Sequence, residues 1–172
     1  YAPVSTSLEM LNTNLGFTIS DKELQVILVT SATSGEGKSF VAANLAVAAS
    51  HVGKRVLLID CDMRRPRQHR IWEIPNLLGM SNILAGQNES KQALHKVFLN
   101  VDMLPSGKIP PNPVTLLDSQ RMADLIEAAR QNYDFVVIDS PPLTAVTDPL
   151  IIGKFADGLL LVVRPEIGRA HV

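Results

Sequence analysis

Eight consecutive residues, Ala32 to Ser39, read A-T-S-G-E-G-K-S, with an apolar run before them and a helical pattern after them. Two glycines, a lysine and a hydroxyl therefore fall at a strand-to-helix turn. Gly35 and Gly37 let backbone N–H groups converge on an anion, and the first turn of the helix adds unpaired donors and its positive dipole end. A lysine at the place of Lys38 reaches the β- and γ-phosphates of a nucleoside triphosphate, and a hydroxyl at Ser39 ligates the accompanying Mg²⁺. The segment is read as a P-loop, with Thr33, Ser34, Gly35, Glu36, Gly37, Lys38, Ser39 and Phe40 cradling Mg·ATP. It departs from G-x-x-x-x-G-K-[ST] at Ala32, which the turn accepts if its φ is negative.

Three carboxylates are expected to complete the site. Asp60 ends the apolar run before Cys61, Asp62 follows two residues on, and Asp139 ends the run F-V-V-I-D. Acids at the carboxyl ends of buried strands lie where open α/β sheets gather their ligands. One of them, as a Walker B acid, holds Mg²⁺ directly or through water. The expected catalytic set is Lys38, Asp60, Asp62 and Asp139, and the expected metal set is Ser39, Asp62 and Asp139. Cys61, between two of the acids, is read as a small buried side chain pointing away from them. Arg64 and Arg65 suit phosphates, a neighbouring subunit or solvent equally.

The elements that must place these groups alternate. Strands are expected at 25–30, 55–60, 101–104, 135–139 and 158–163. Helices are expected at 7–17, 38–52, 81–85, 91–97, 119–132 and 148–155. Ser81 and Asp148 are expected N-caps and Gly53 a helix stop. Nearly pure apolar strands alternating with helices predict a mostly parallel sheet covered on both faces, an α/β P-loop NTPase fold. Residues 105–113 carry four prolines and are expected to form a stiff extended loop.

Bulk properties narrow the class. The 172 residues suit one domain, expected over 1–165, with 166–172 read as a foreign, adapter-encoded tail. Both ends look cut. The net charge of −1 lacks the basic excess of a nucleic-acid binder. A single cysteine allows no internal disulfide and fits a reducing cytoplasm. No apolar run approaches the roughly 20 residues that span a bilayer, so the chain reads as soluble. His51, His69 and His95 lack metal-ligand spacing, and Trp72 with Ile71 is expected in local core.

In order along the chain, T-S-G-E-G-K-S, L-L-I-D-C-D-M-R-R-P at 57–66, G-M-S-N-I-L-A-G at 79–86, L-P-S-G-K-I-P-P-N-P at 104–113 and Y-D-F-V-V-I-D-S-P-P at 133–142 resemble the kinase domain of bacterial tyrosine autokinases. The likeness runs from about Glu9 to Arg164. It implies an ATP-dependent protein-tyrosine kinase that regulates exopolysaccharide or capsule polymerisation and export. It further implies Walker A residues Lys38 and Ser39, Walker A′ residues Asp60 and Asp62, and the Walker B acid Asp139. One Walker A′ carboxylate would activate the tyrosine hydroxyl, with Asp60 favoured, while the other helps hold Mg²⁺. The implied partners are the tyrosine-rich tail of a neighbouring subunit in a homo-oligomer and a membrane activator, placing the domain at the inner face of the plasma membrane. A rival reading is a non-kinase ATPase switch that assembles on a membrane partner. The ParA and MinD type ATPases are similar but carry a signature lysine where this chain has Thr33, so their nucleotide-sandwich dimer is not expected.

Overall fold

The structure, a computed structural model, describes residues 24–34, 37–144 and 148–163. The expected helix at 7–17 and the tail at 166–172 lie outside those residues.

Three apolar runs form the centre of the sheet: β1 Val26–Ser31, β2 Val56–Asp60 and β5 Phe135–Asp139, every residue of them buried. Strand β3 is His95–Phe98, β4 Val101–Leu104 and β6 Gly158–Val162. Among the described residues the sheet runs β3-β4-β2-β5-β1-β6. All pairings are parallel except β3 with β4. Alternation along each strand divides the side chains between two cores. Ile27, Val29, Val56, Leu58 and Val137 face helix α1, Lys38–His51, whose Ala42, Ala46 and Ala49 let it approach the sheet closely. Val26, Leu28, Leu57, Ile59, Val136 and Ile138 face the other layer. Strands buried on both faces have no polar side to display, which is why they read as continuous apolar runs.

That second layer holds α3 Met80–Leu84, α6 Gln120–Asn132 and α7 Asp148–Gly153, with the short α2 Gln68–Ile71, α4 Ser90–Ala93 and α5 Pro113–Leu117 in the connections. The expected mostly parallel sheet with helices on both faces is present, and Gly53 follows α1 as its stop.

Five expectations need correction. The helix expected at 91–97 is α4 followed by β3. His95 to Phe98 alternates between half-buried and exposed and pairs antiparallel with β4, so cross-strand pairing overrides the helical propensity of K-Q-A-L-H-K. Ser81 does not cap α3, because Gly79 holds that place and Ser81 lies inside the helix. Asp148 begins α7, but its carboxylate accepts from Arg64. Among the described residues β6 lies at the edge of the sheet, where Leu159 and Leu161 are exposed rather than buried on both faces. The loop after β4 ends one residue early, since Pro113 opens α5, where a missing N–H costs nothing.

Candidate active site

The carboxyl ends of β1, β2 and β5 form one edge, and the site is built there. Chain direction explains the convergence. Strand β1 delivers the loop that starts α1, while Asp60 and Asp139 are the last residues of neighbouring parallel strands and stand directly opposite each other. Ala32 has no positive φ, so the missing first glycine leaves the turn intact. Gly37 precedes α1 at φ 77°, in the left-handed region, and a Cβ there would be strained although the space around it is open.

Lys38 is buried and reaches back across the loop. Its Nζ donates to Asp139 Oδ1 at 2.8 Å, bridges to Asp62 Oδ2 at 3.2 Å and lies 3.4 Å from Ser39 Oγ. Burial by itself would lower the proton affinity of that ammonium, but Asp139 and Asp62 outweigh burial and hold it above the usual lysine range.

The two acids of the D-C-D segment differ in their bonding. Asp60 is fully buried and its oxygens accept three backbone N–H groups: Asp62 on Oδ1 at 3.0 Å, and Arg67 and Gln68 on Oδ2 at 3.1 and 3.0 Å. Burial, and then the facing Asp139 charge, push its proton affinity well above the ordinary carboxylate range despite those donors. Asp62 accepts one N–H, from Arg65, on Oδ1, and its Oδ2 faces Lys38. Cys61 between them turns into the opposite core, fully buried, as alternation requires. Burial pushes its thiol up, so it stays protonated.

Gln68 belongs to the site with no signal in the sequence. Its Nε2 donates to both Asp139 Oδ2 and the Ser39 carbonyl at 2.8 Å, and its Oε1 accepts from Trp72 Nε1 at 3.1 Å. The amide thus ties the phosphate loop to the acid ending β5, and Trp72, expected only as core, fixes the amide's orientation. A glutamine in R-P-R-Q-H-R-I-W has no special spacing, and only the packing of α2 against α1 brings it there.

Lys38, Ser39, Asp60, Asp62 and Asp139 therefore converge. Thr33, Ser34 and Gly37 line the exposed loop beside them, and the Phe40 side chain is exposed. Gly35 and Glu36 lie outside the described residues. Three carboxylates against one ammonium leave a buried, anionic cluster, which a divalent cation would relieve. Among the described residues no three metal-ligating side chains close around one point. Mg²⁺ takes one or two carboxylates and completes its octahedron with waters and substrate phosphates. Ser39, Asp62 and Asp139, the expected metal set, stand together around Lys38 Nζ.

A strand, a phosphate loop, a helix, and acids ending the adjacent parallel strands define a P-loop nucleotide-binding domain. The family described as "AAA domain" matches residues 24–168. The tyrosine-protein kinase YwqD of Bacillus subtilis is 41% identical over 92% of this chain and 68% of its own length. The tyrosine-protein kinase wzc of Salmonella typhi is 43% identical over 92% of this chain, which spans only 22% of that relative. The kinase domain of the Escherichia coli tyrosine kinase ETK superposes with a TM-score of 0.90 at 34% identity, covering 97% of this chain and 66% of that one. The chain belongs to the AAA domain family and, within it, to the bacterial tyrosine-protein kinases.

Proposed function

We propose that this domain transfers the γ-phosphoryl group of Mg·ATP to tyrosine hydroxyls carried on another polypeptide. The observation that supports this most is the cluster around Lys38. Its ammonium rests on Asp139 and Asp62, the acids suited to hold the metal. Phosphates entering the loop would give Lys38 new partners; Ser39, Asp62 and Asp139 would hold Mg²⁺, which would supply positive charge to the transferring phosphoryl.

In the transfer, the bond from the γ-phosphorus to the bridging oxygen breaks, a bond from phosphorus to the tyrosine oxygen forms, and the phenolic proton passes to a carboxylate. Asp60, at the carboxyl end of β2 beside Asp62 and opposite Asp139, is the favoured acceptor by resemblance to the family, and it takes the proton as the ionised carboxylate. Its oxygens are occupied by backbone donors, so the Arg67–Gln68 segment yields one of them when tyrosine enters. By the same family reading the domain regulates capsule or exopolysaccharide polymerisation and works at the inner face of the plasma membrane with a membrane activator. It acts in a homo-oligomer on a neighbouring subunit's tyrosine-rich tail. Among the described residues no helix is long and apolar enough to cross a membrane.

The test supplies the domain with Mg·ATP, a membrane activator and a tyrosine-rich tail from a longer relative, and reads phosphotyrosine. Transfer is expected with the parent domain and not with Lys38→Ala. Asp60→Asn and Asp62→Asn should each lower transfer more than ATP binding. Hydrolysis of ATP with no transfer to any supplied tyrosine would replace this reading with the ATPase switch.

A further inference from the structure

Beside the catalytic carboxylates lies a cleft of about 560 Å³ walled by the loop after β2, by α2 and by the Gly107–Ile109 segment. Arg65, Arg67, His69, Arg70 and Lys108 line it, together with Arg64, and among the described residues no carboxylate does. Arg64 is held by Asp148. Among the described residues the other three arginines and Lys108 form no ion pair. His69 Nδ1 is buried in the same wall without a hydrogen-bond partner among the described residues.

Unpaired cations around one concavity repel one another, and a cleft lined by one sign of charge focuses a field that draws in the opposite sign. The wall is also fixed to the catalytic acids. The Arg65 N–H is held by Asp62, and the Arg67 N–H by Asp60. A chain lying in the cleft is therefore placed relative to those acids by the same strip of backbone. The chain's overall charge of −1 speaks against a nucleic acid, and the concave shape speaks against a flat lipid surface.

We propose that this cleft docks an anionic stretch of polypeptide, rich in Asp, Glu or phosphotyrosine, next to the acceptor tyrosine that enters the site. The proposal rests on the kinase reading for its consequence, but not for the binding itself. Arginine suits both sources of charge, because its planar fork meets carboxylate and phosphate alike.

The test measures fluorescence anisotropy with three labelled peptides of one length: Glu-rich with a single tyrosine, the same peptide phosphorylated on that tyrosine, and a Lys-rich control. The parent domain should bind both anionic peptides, more weakly as salt rises, and not the control. Tighter binding of the phosphorylated peptide would identify phosphate as the preferred group, and equal binding would identify the carboxylates. Arg70→Glu with Lys108→Glu should weaken both by about tenfold or more while leaving affinity for a fluorescent ATP analogue unchanged. The milder Arg70→Gln with Lys108→Gln should fall between. In the transfer assay these variants should raise KM for the acidic peptide with kcat little changed. Parent-like peptide affinity in both variants, equal binding of the Lys-rich peptide, or displacement by anionic vesicles would overturn the proposal. Binding that persists without any transfer would overturn the kinase reading and leave the docking cleft standing.

Discussion

At the scale of single residues the site is a charge problem solved by contact. Among the described residues Lys38 is the one cation that pairs with the facing carboxylates, so Lys38→Ala removes both a phosphate ligand and their counter-charge. Calorimetry should show Mg·ATP binding weakened by about 2–3 kcal/mol, the scale of hydrogen bonds to a charged group. The nucleotide-free variant should also show a pH signature. Asp60 already has a raised proton affinity, so in the fold its neutral form is favoured and stability from that source falls as pH rises above its unfolded value. Without the ammonium this effect grows, and the melting difference between variant and parent should widen from pH 5 to pH 8. A melting difference that stays constant would show that the acids do not depend on Lys38. Gln68 acts by positioning. Gln68→Ala leaves Asp139 Oδ2 and the Ser39 carbonyl without their donor, and urea unfolding should show a loss of about 1–3 kcal/mol.

Elements are held together where loops approach each other. Gly79 heads α3 so close to the loop after β4 that an added Cβ would sit 2.2 Å from both the Pro105 oxygen and the Gly107 nitrogen. Around it, Met80 N–H donates to Pro105 and Ser81 N–H to Ser106, while Asn76 exchanges hydrogen bonds with Gly107. The G-M-S-N and L-P-S-G-K motifs are thus partners of each other. Gly79→Ala must push this backbone apart, and should cost about 1–3 kcal/mol in chemical denaturation and disturb the cleft wall at Lys108. On another side, Asp157 joins three elements. It accepts from Gln25 and Val26 at the start of β1 and from both terminal nitrogens of Arg130 on α6. Its carboxyl is held at about 2, chiefly by Arg130, against 3.8 for the free group. A depressed carboxyl stabilises the fold above its unfolded value and loses that effect as pH falls toward its folded one. Asp157→Asn should cost about 1 kcal/mol at neutral pH, given its partial exposure, and the difference from the parent should shrink between pH 4 and pH 2.

For the whole molecule, the tyrosines decide what the domain can modify. Tyr133 precedes β5 and donates its hydroxyl to Asp102 Oδ2 at 2.6 Å. Burial first, and then that bond, push its ionisation well above the usual phenol range. Reaching an active site would mean withdrawing a side chain that packs against the core. Incubated with Mg·ATP alone, the domain should carry no phosphate on Tyr133 by mass spectrometry. Phosphate there would mean that this end of the sheet opens far more readily than its packing allows.

The phosphate loop, the three acids and the mostly parallel sheet were legible in the sequence, because each rests on local chemistry. Apolar strand runs report burial on both faces, glycines mark a turn around an anion, and an acid ending such a run has few structural uses. Cys61 followed from strand alternation. The switch from α4 to β3 was not legible, because His95–Phe98 becomes a strand only by pairing with β4. The capping places of Ser81 and Asp148 were misplaced because the short helix starts are set by partners, Gly79 against the Pro105–Gly107 loop and Asp148 against Arg64. Gln68 and the unpaired arginine cleft were beyond reach for the same reason. Their neighbours lie on other elements, and only the folding of α2 across the sheet edge decides which side chains share a carboxylate and which are left facing an open, uncompensated field.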